Sequence, residues 1–153
     1  MKTIKLTILI LSFLAPVLAA EPPKEQKVKP IEMTKAMFLE KVMDYDKNPE
    51  TWKYLGNKPA IIDFYAVWCG PCRLTSPILA ELAAEYGDEI YVYKINIDKE
   101  RELAKAFGIQ SIPTFLFVPM DETPQLSMGA LPKEAFKEAI DTVLLKKKQE
   151  KEQ

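Results

Sequence analysis

The chain has 153 residues, enough for one domain with a buried core, and its charge is nearly balanced, 21 basic residues against 22 acidic. That balance points away from a polyelectrolyte partner, so no nucleic acid is expected. Histidine is absent and cysteine occurs twice, which removes the usual general base and leaves too few ligands for a self-contained zinc site.

Residues 1–19 read as a cleaved signal peptide. Lys2 and Lys5 make a basic start, Leu6 to Leu14 is almost wholly apolar, and Val17-Leu18-Ala19 sets small residues at the cut. A membrane anchor is the rival reading, but the apolar run is short for a spanning helix, which needs about 20 residues. A periplasmic location is therefore expected, ahead of an extracellular one. Residues 20–30, with Pro22, Pro23, Pro30 and several charges, form a flexible linker. The domain proper runs over 31–146. Residues 147–153 make a charged tail that frays or carries the last helix on into solvent.

Within the domain, Thr34 caps a helix with Phe38, Leu39, Val42 and Met43 at helical spacing. Asn48-Pro49-Glu50 starts a second, short helix that Gly56 ends. Ile61 to Ala66 is a strand. Gly70 to Tyr86 is a helix, with Leu74, Ile78, Leu79, Leu82 and Ala83 on one face, Gly87 as its stop, and Pro77 inside it as a kink. Glu89 to Ile97 is a central strand, and Lys99 to Phe107 a short helix. Thr114–Val118 is a strand, Pro119–Pro124 a turn and Gln125–Met128 an edge strand. Pro132 begins a final helix carrying Phe136, Ile140, Val143 and Leu144. This order predicts an α/β fold: a central mixed β-sheet flanked by helices on both faces.

The chemistry concentrates where the first strong strand gives way to its helix, at Trp68-Cys69-Gly70-Pro71-Cys72. A thiol at a helix N-terminus meets unpaired backbone N–H groups and the positive end of the helix dipole, which favour its thiolate. Cys69 is then the nucleophile. Cys72, one turn on and expected to be more buried, attacks Cys69 once a mixed disulfide has formed. A purely structural disulfide is the alternative, although so small a loop constrains the unfolded chain little.

Asp63 lies within Ile61-Ile62-Asp63-Phe64, where burial should raise its pKa and let it accept the proton of Cys72 through a water. An outward position on an edge strand is the other option. Lys94, in the next strong strand, either pairs with Asp63 across the sheet or faces solvent. Pro113, in Ser111-Ile112-Pro113-Thr114, precedes a strand and is open to either peptide isomer. A cis bond there would set the backbone of Ile112 beside the thiols, where an extended peptide could pair as an added strand. Trp68 abuts Cys69 as either core or contact surface.

The segment Ile61 to Cys72 resembles thioredoxin. So do Pro77, Lys94-Ile95-Asn96-Ile97-Asp98, Gly108 to Thr114 and Gly129-Ala130-Leu131. The resemblance spans roughly Ile31 to Leu145 in the order of that family. It implies the thioredoxin fold, Cys69 and Cys72 as a redox-active disulfide, Asp63 as proton acceptor with Lys94 its neighbour, and a cis Pro113 facing the sulfurs. It further implies a substrate groove lined by Trp68, Gly70, Pro71, Ile112, Pro113, Gly129 and Ala130, with no metal or other cofactor. In that family the Gly70-Pro71 pair accompanies reducing members, whereas strong oxidants usually carry a histidine there. Tyr65 stands where tryptophan is common, and Tyr can fill the slot with its hydroxyl turned outward.

The expectation is an exported, monomeric protein-disulfide reductase whose partners are disulfide-containing exported proteins and a membrane-bound electron donor. Disulfide oxidation or isomerisation in the same compartment is the alternative within this chemistry. A peptide-binding module without turnover is the alternative outside it.

Overall fold

The computed structural model describes residues 28–147. Five strands form one sheet, β1 (Ile31–Glu32), β2 (Ala60–Tyr65), β3 (Tyr91–Asn96), β4 (Thr114–Val118) and β5 (Gln125–Met128), in the order β1-β3-β2-β4-β5. β1 and β3, and β3 and β2, pair in parallel, while β4 runs antiparallel to β2 and to β5. The parallel step from β2 to β3 requires a crossover, which α2 (Gly70–Tyr86) supplies.

The pleat of β2 divides the molecule. Ala60, Ile62 and Phe64 join one core with Phe38 and Val42 from the α1 side (Lys35–Lys41) and Leu103 of α3 (Arg101–Ala106). Ile61 belongs to the other core, with Val92, Phe115 and Phe117 under α2 and α4 (Lys133–Ala139). A strand buried on both faces reads as an unbroken apolar run, which is why Asp63 stands out within it.

Local signals account for most of the helices. The Thr34 hydroxyl accepts the amide of Met37 at 3.3 Å and caps α1. α2 continues through Pro77, whose ring lies at the exposed surface. After α4 the chain widens into a π-helical stretch, Ile140–Leu144, and Phe136, Ile140 and Leu144 remain on one buried face.

Four expectations are corrected. No helix forms over Asn48–Gly56. Instead Asp44 Oδ1 accepts the amide of Lys47, and beyond Thr51 the chain runs extended, with Trp52 and Tyr54 turned inward and Lys53 and Leu55 outward. Leu55 donates its amide to the Val42 carbonyl at 2.9 Å, and Trp52 meets Phe107 edge-on, so tertiary packing overrides the local helix-start signal. Leu74 is 70% exposed: it lies about 200° around α2 from buried Cys72, on the solvent side. The last helix stops at Leu144 rather than running on through Lys146, which takes a left-handed φ of 51°; the tail from 148 to 153 lies outside the described residues. Finally, β1 was not expected. Two exposed residues leave no period to read, and only the open edge of β3 makes them a strand.

Candidate active site

Cys69 occupies the N-cap of α2 with extended backbone, and its Sγ accepts the Cys72 amide at 3.2 Å. The helix thus aims one of its unpaired N–H groups at this sulfur. Pro71 sits in the first turn, where its missing N–H removes nothing the helix needs. Gly70 and Pro71 stay at least partly accessible beside the thiol pair. Cys69 and Cys72 are joined as a disulfide, with their Cα atoms 5.3 Å apart.

The expected contrast in burial is absent, since the two residues are 3% and 4% exposed. In the bonded pair each sulfur covers the other, and Ala66, Tyr65, Ile97 and Ile112 close around both. What separates them is the amide hydrogen bond, which Cys69 alone receives.

A second wall comes from the turn that enters β4, the strand next to β2. The Ile112–Pro113 peptide is cis, and Ile112 packs against the cysteine cluster. The Pro113 carbonyl accepts the amide of Gly129 at 2.8 Å. Gly129 has φ +89°, a conformation that side chains strain to adopt. Ala130 follows it on the exposed surface. Trp68 stands 63% exposed, and its indole N–H donates to Asp98 Oδ2 at 2.9 Å. The fold therefore gathers Trp68, the thiol pair, Ile112, Pro113 and Gly129 at one end of the sheet.

Asp63 is buried, 1% exposed, and among the described residues neither carboxyl oxygen has a hydrogen-bond partner. Burial pushes its carboxyl up to about 7, against a partial downward pull from Lys94. Its place in the pleat, two residues from Ile61, directs it toward α2, the helix that carries Cys72.

Lys94 is the register partner of Asp63 on β3, as expected, but among the described residues no ion pair joins them. The ammonium donates to Ser76 Oγ at 3.3 Å, lies 3.9 Å from Glu32 Oε1 and sits 4.0 Å from the Tyr65 ring centroid. The Tyr65 hydroxyl donates to the same Glu32 oxygen at 2.8 Å, turned outward as expected.

Sequence reasoning missed Glu32, Ser76 and the role of Asp98. Glu32 could not be placed without β1. Asp98 stood within a segment already singled out, but nothing in the spacing linked it to Trp68.

Comparison with known proteins agrees with this geometry. The Thioredoxin family matches residues 29–142. The thioredoxin of Borreliella burgdorferi is 47% identical over 110 residues, covering 72% of this chain and 93% of that protein. A chloroplastic M-type thioredoxin of Spinacia oleracea is 40% identical over 102 residues, 65% of this chain and 56% of the relative. Among solved structures, that of chloroplastic thioredoxin z superposes with a TM-score of 0.61 at 25% identity, covering 75% of this chain and 94% of that one.

Proposed function

The chain belongs to the thioredoxin family of thiol-disulfide oxidoreductases, and on that premise we propose that it is an exported reductase of protein disulfides. The observation that carries the reading is the sulfur of Cys69 held at the open end of α2 by the Cys72 amide. In the dithiol form the same amide and the helix dipole favour the Cys69 thiolate.

That thiolate attacks one sulfur of a client disulfide, forming a Cys69–client bond and expelling the other client sulfur as thiolate. Asp63, ionised, takes the Cys72 proton. The Cys72 thiolate then attacks Cys69, and the second client sulfur leaves. Two electrons pass to the client, the two client thiolates take up protons, and Cys69–Cys72 is left oxidised. The cis Pro113, next to the Ile112 that packs on the cysteines, and the exposed Trp68 offer an extended client segment a backbone edge and an aromatic face.

Export is proposed from residues 1–19, which lie outside the described residues. An exported reductase must be recharged across or within the membrane, so its donor is a membrane-bound dithiol. The Gly70-Pro71 pair supports reduction over oxidation, as in reducing members of the family.

Insulin reduction driven by dithiothreitol tests the chemistry. The wild type should precipitate the insulin B chain, and Cys69→Ser should not. Retained client binding with no reduction by the wild type would favour a holding module. Equilibration with glutathione buffers tests the direction, and a strongly oxidising potential would reverse it. For export, the N-terminus of the protein recovered from the periplasm should begin at Ala20.

A further inference from the structure

Glu32, Lys94 and Asp63 stand in one row across three neighbouring strands, since Lys94 is the register partner of Glu32 on β1 and of Asp63 on β2. The row alternates acid, base, acid. Its two carboxylates differ sharply in surroundings: Glu32 is largely exposed, whereas Asp63 is sealed in the core with no hydrogen-bond partner among the described residues. A lone ammonium between them should favour the desolvated carboxylate, where attraction is least screened. It does the opposite, lying toward Glu32 and Ser76 with the Tyr65 ring against it. The Tyr65 hydroxyl fixes the Glu32 oxygen that faces Lys94.

We propose that Glu32 is a positioning residue that draws Lys94 away from Asp63, with Tyr65 as its tether, and so sets the pH at which Asp63 ionises. The inference rests on the role given to Asp63 above and adds a residue from an edge strand to it. The charged and titratable groups around Asp63 are few. β3 contributes Lys94, β1 contributes Glu32 and β2 contributes Tyr65, while Cys72 of α2 is tied up in the disulfide and the β4 register partner, Phe115, carries no charge. Among them, Lys94 favours the ionised form of Asp63 and Glu32 opposes it. Glu32 acts twice, by its own field and by where it holds the ammonium.

The test is a carbon-13 carboxyl titration of Asp63 in the disulfide form, which involves no exchange step. Glu32→Gln should lower the Asp63 midpoint by about one pH unit. Tyr65→Phe, which frees the Glu32 carboxylate, should shift it less and in the same direction. In a Lys94→Met background, Glu32→Gln should shift the midpoint by less than half as much. An unmoved midpoint in Glu32→Gln, or an equal shift with and without Lys94, overturns the proposal. The pH profile for release of a Cys69 mixed disulfide should move with the titration. A moved titration beside an unmoved profile would overturn instead the assignment of Asp63 as proton acceptor.

Discussion

Trp68 and Asp98 are joined by an indole N–H to carboxylate hydrogen bond of 2.9 Å, which ties the turn after β2 to the turn after β3. Asp98 is itself steadied, its amide donating to Asn96 Oδ1 at 3.0 Å. The bond buries little of the ring. Its effect is to hold an exposed aromatic plate in one orientation beside Cys69, and under the proposed function a client would then not have to order it on binding. Asp98→Ala should therefore raise KM for a disulfide-containing peptide about three- to tenfold, equivalent to roughly one hydrogen bond, and leave kcat nearly unchanged. Steady-state kinetics would separate the two, and an unaltered KM would deny the indole a part in docking.

Removal of the resolving thiol should trap the reaction midway. Cys72→Ser should accumulate a Cys69–client disulfide that survives on non-reducing gels, with turnover below about 1% of wild type, because no second thiolate is in reach. If the variant released reduced client at the normal rate, Cys72 would have no resolving role.

Asp63 makes a prediction with a definite sign. In the fold its carboxyl holds a proton up to a pH of about 7, whereas an ordinary aspartate ionises near 3.8. Between those values the folded chain keeps a proton that the unfolded chain has given up. Stability therefore falls as pH rises through this window and levels off above it. Asp63→Asn removes that penalty, and denaturant titrations should show it more stable than wild type by up to about 4 kcal/mol at pH 8. At pH 3 the difference should shrink to near zero. If Asp63 is the proton acceptor proposed for Cys72, the same variant should resolve mixed disulfides at least about tenfold more slowly near neutrality. A wild-type-like stability profile would place Asp63 in a wetter setting.

Phe136 is fully buried and meets Phe115 edge-on at a centroid distance of 4.8 Å, pinning α4 to β4. Phe136→Ala should cost about 3–5 kcal/mol in a denaturant titration, through lost burial and the cavity left behind. Insulin reduction by the variant should persist at temperatures where it stays folded, since the ring lies in the core away from the cysteine cluster. A loss below about 1 kcal/mol would mean that α4 closes over the gap.

Much of the site was legible in the chain because its signals are local. Two cysteines three positions apart after an apolar run, with Gly70 and Pro71 between them, announce a thiol at a helix start. Asp63 betrays itself as the one charge in a strand buried on both faces. Thr114–Val118 and Gln125–Met128 carry their own boundaries in Pro113, Pro124 and Gly129. Where local signals competed with packing, packing prevailed. Asn48-Pro49-Glu50 is a fair helix start, yet Trp52 and Tyr54 have core positions to fill and a strand-like alternation reaches both.

The covalent order of residues therefore determined the chemistry: which thiol sits at the helix mouth, which follows it one turn later, and which acid lies in the strand that leads to them. Those features depend on helix and strand periodicity over a dozen positions, and periodicity is written in the chain. Tertiary structure alone decided the partnerships among distant segments. Lys94 turns toward Glu32 rather than Asp63, Trp68 toward Asp98, and Gly129 toward the cis Pro113. Each joins side chains or backbone groups from different elements, and their meeting is set by strand order and register, which no local pattern encodes.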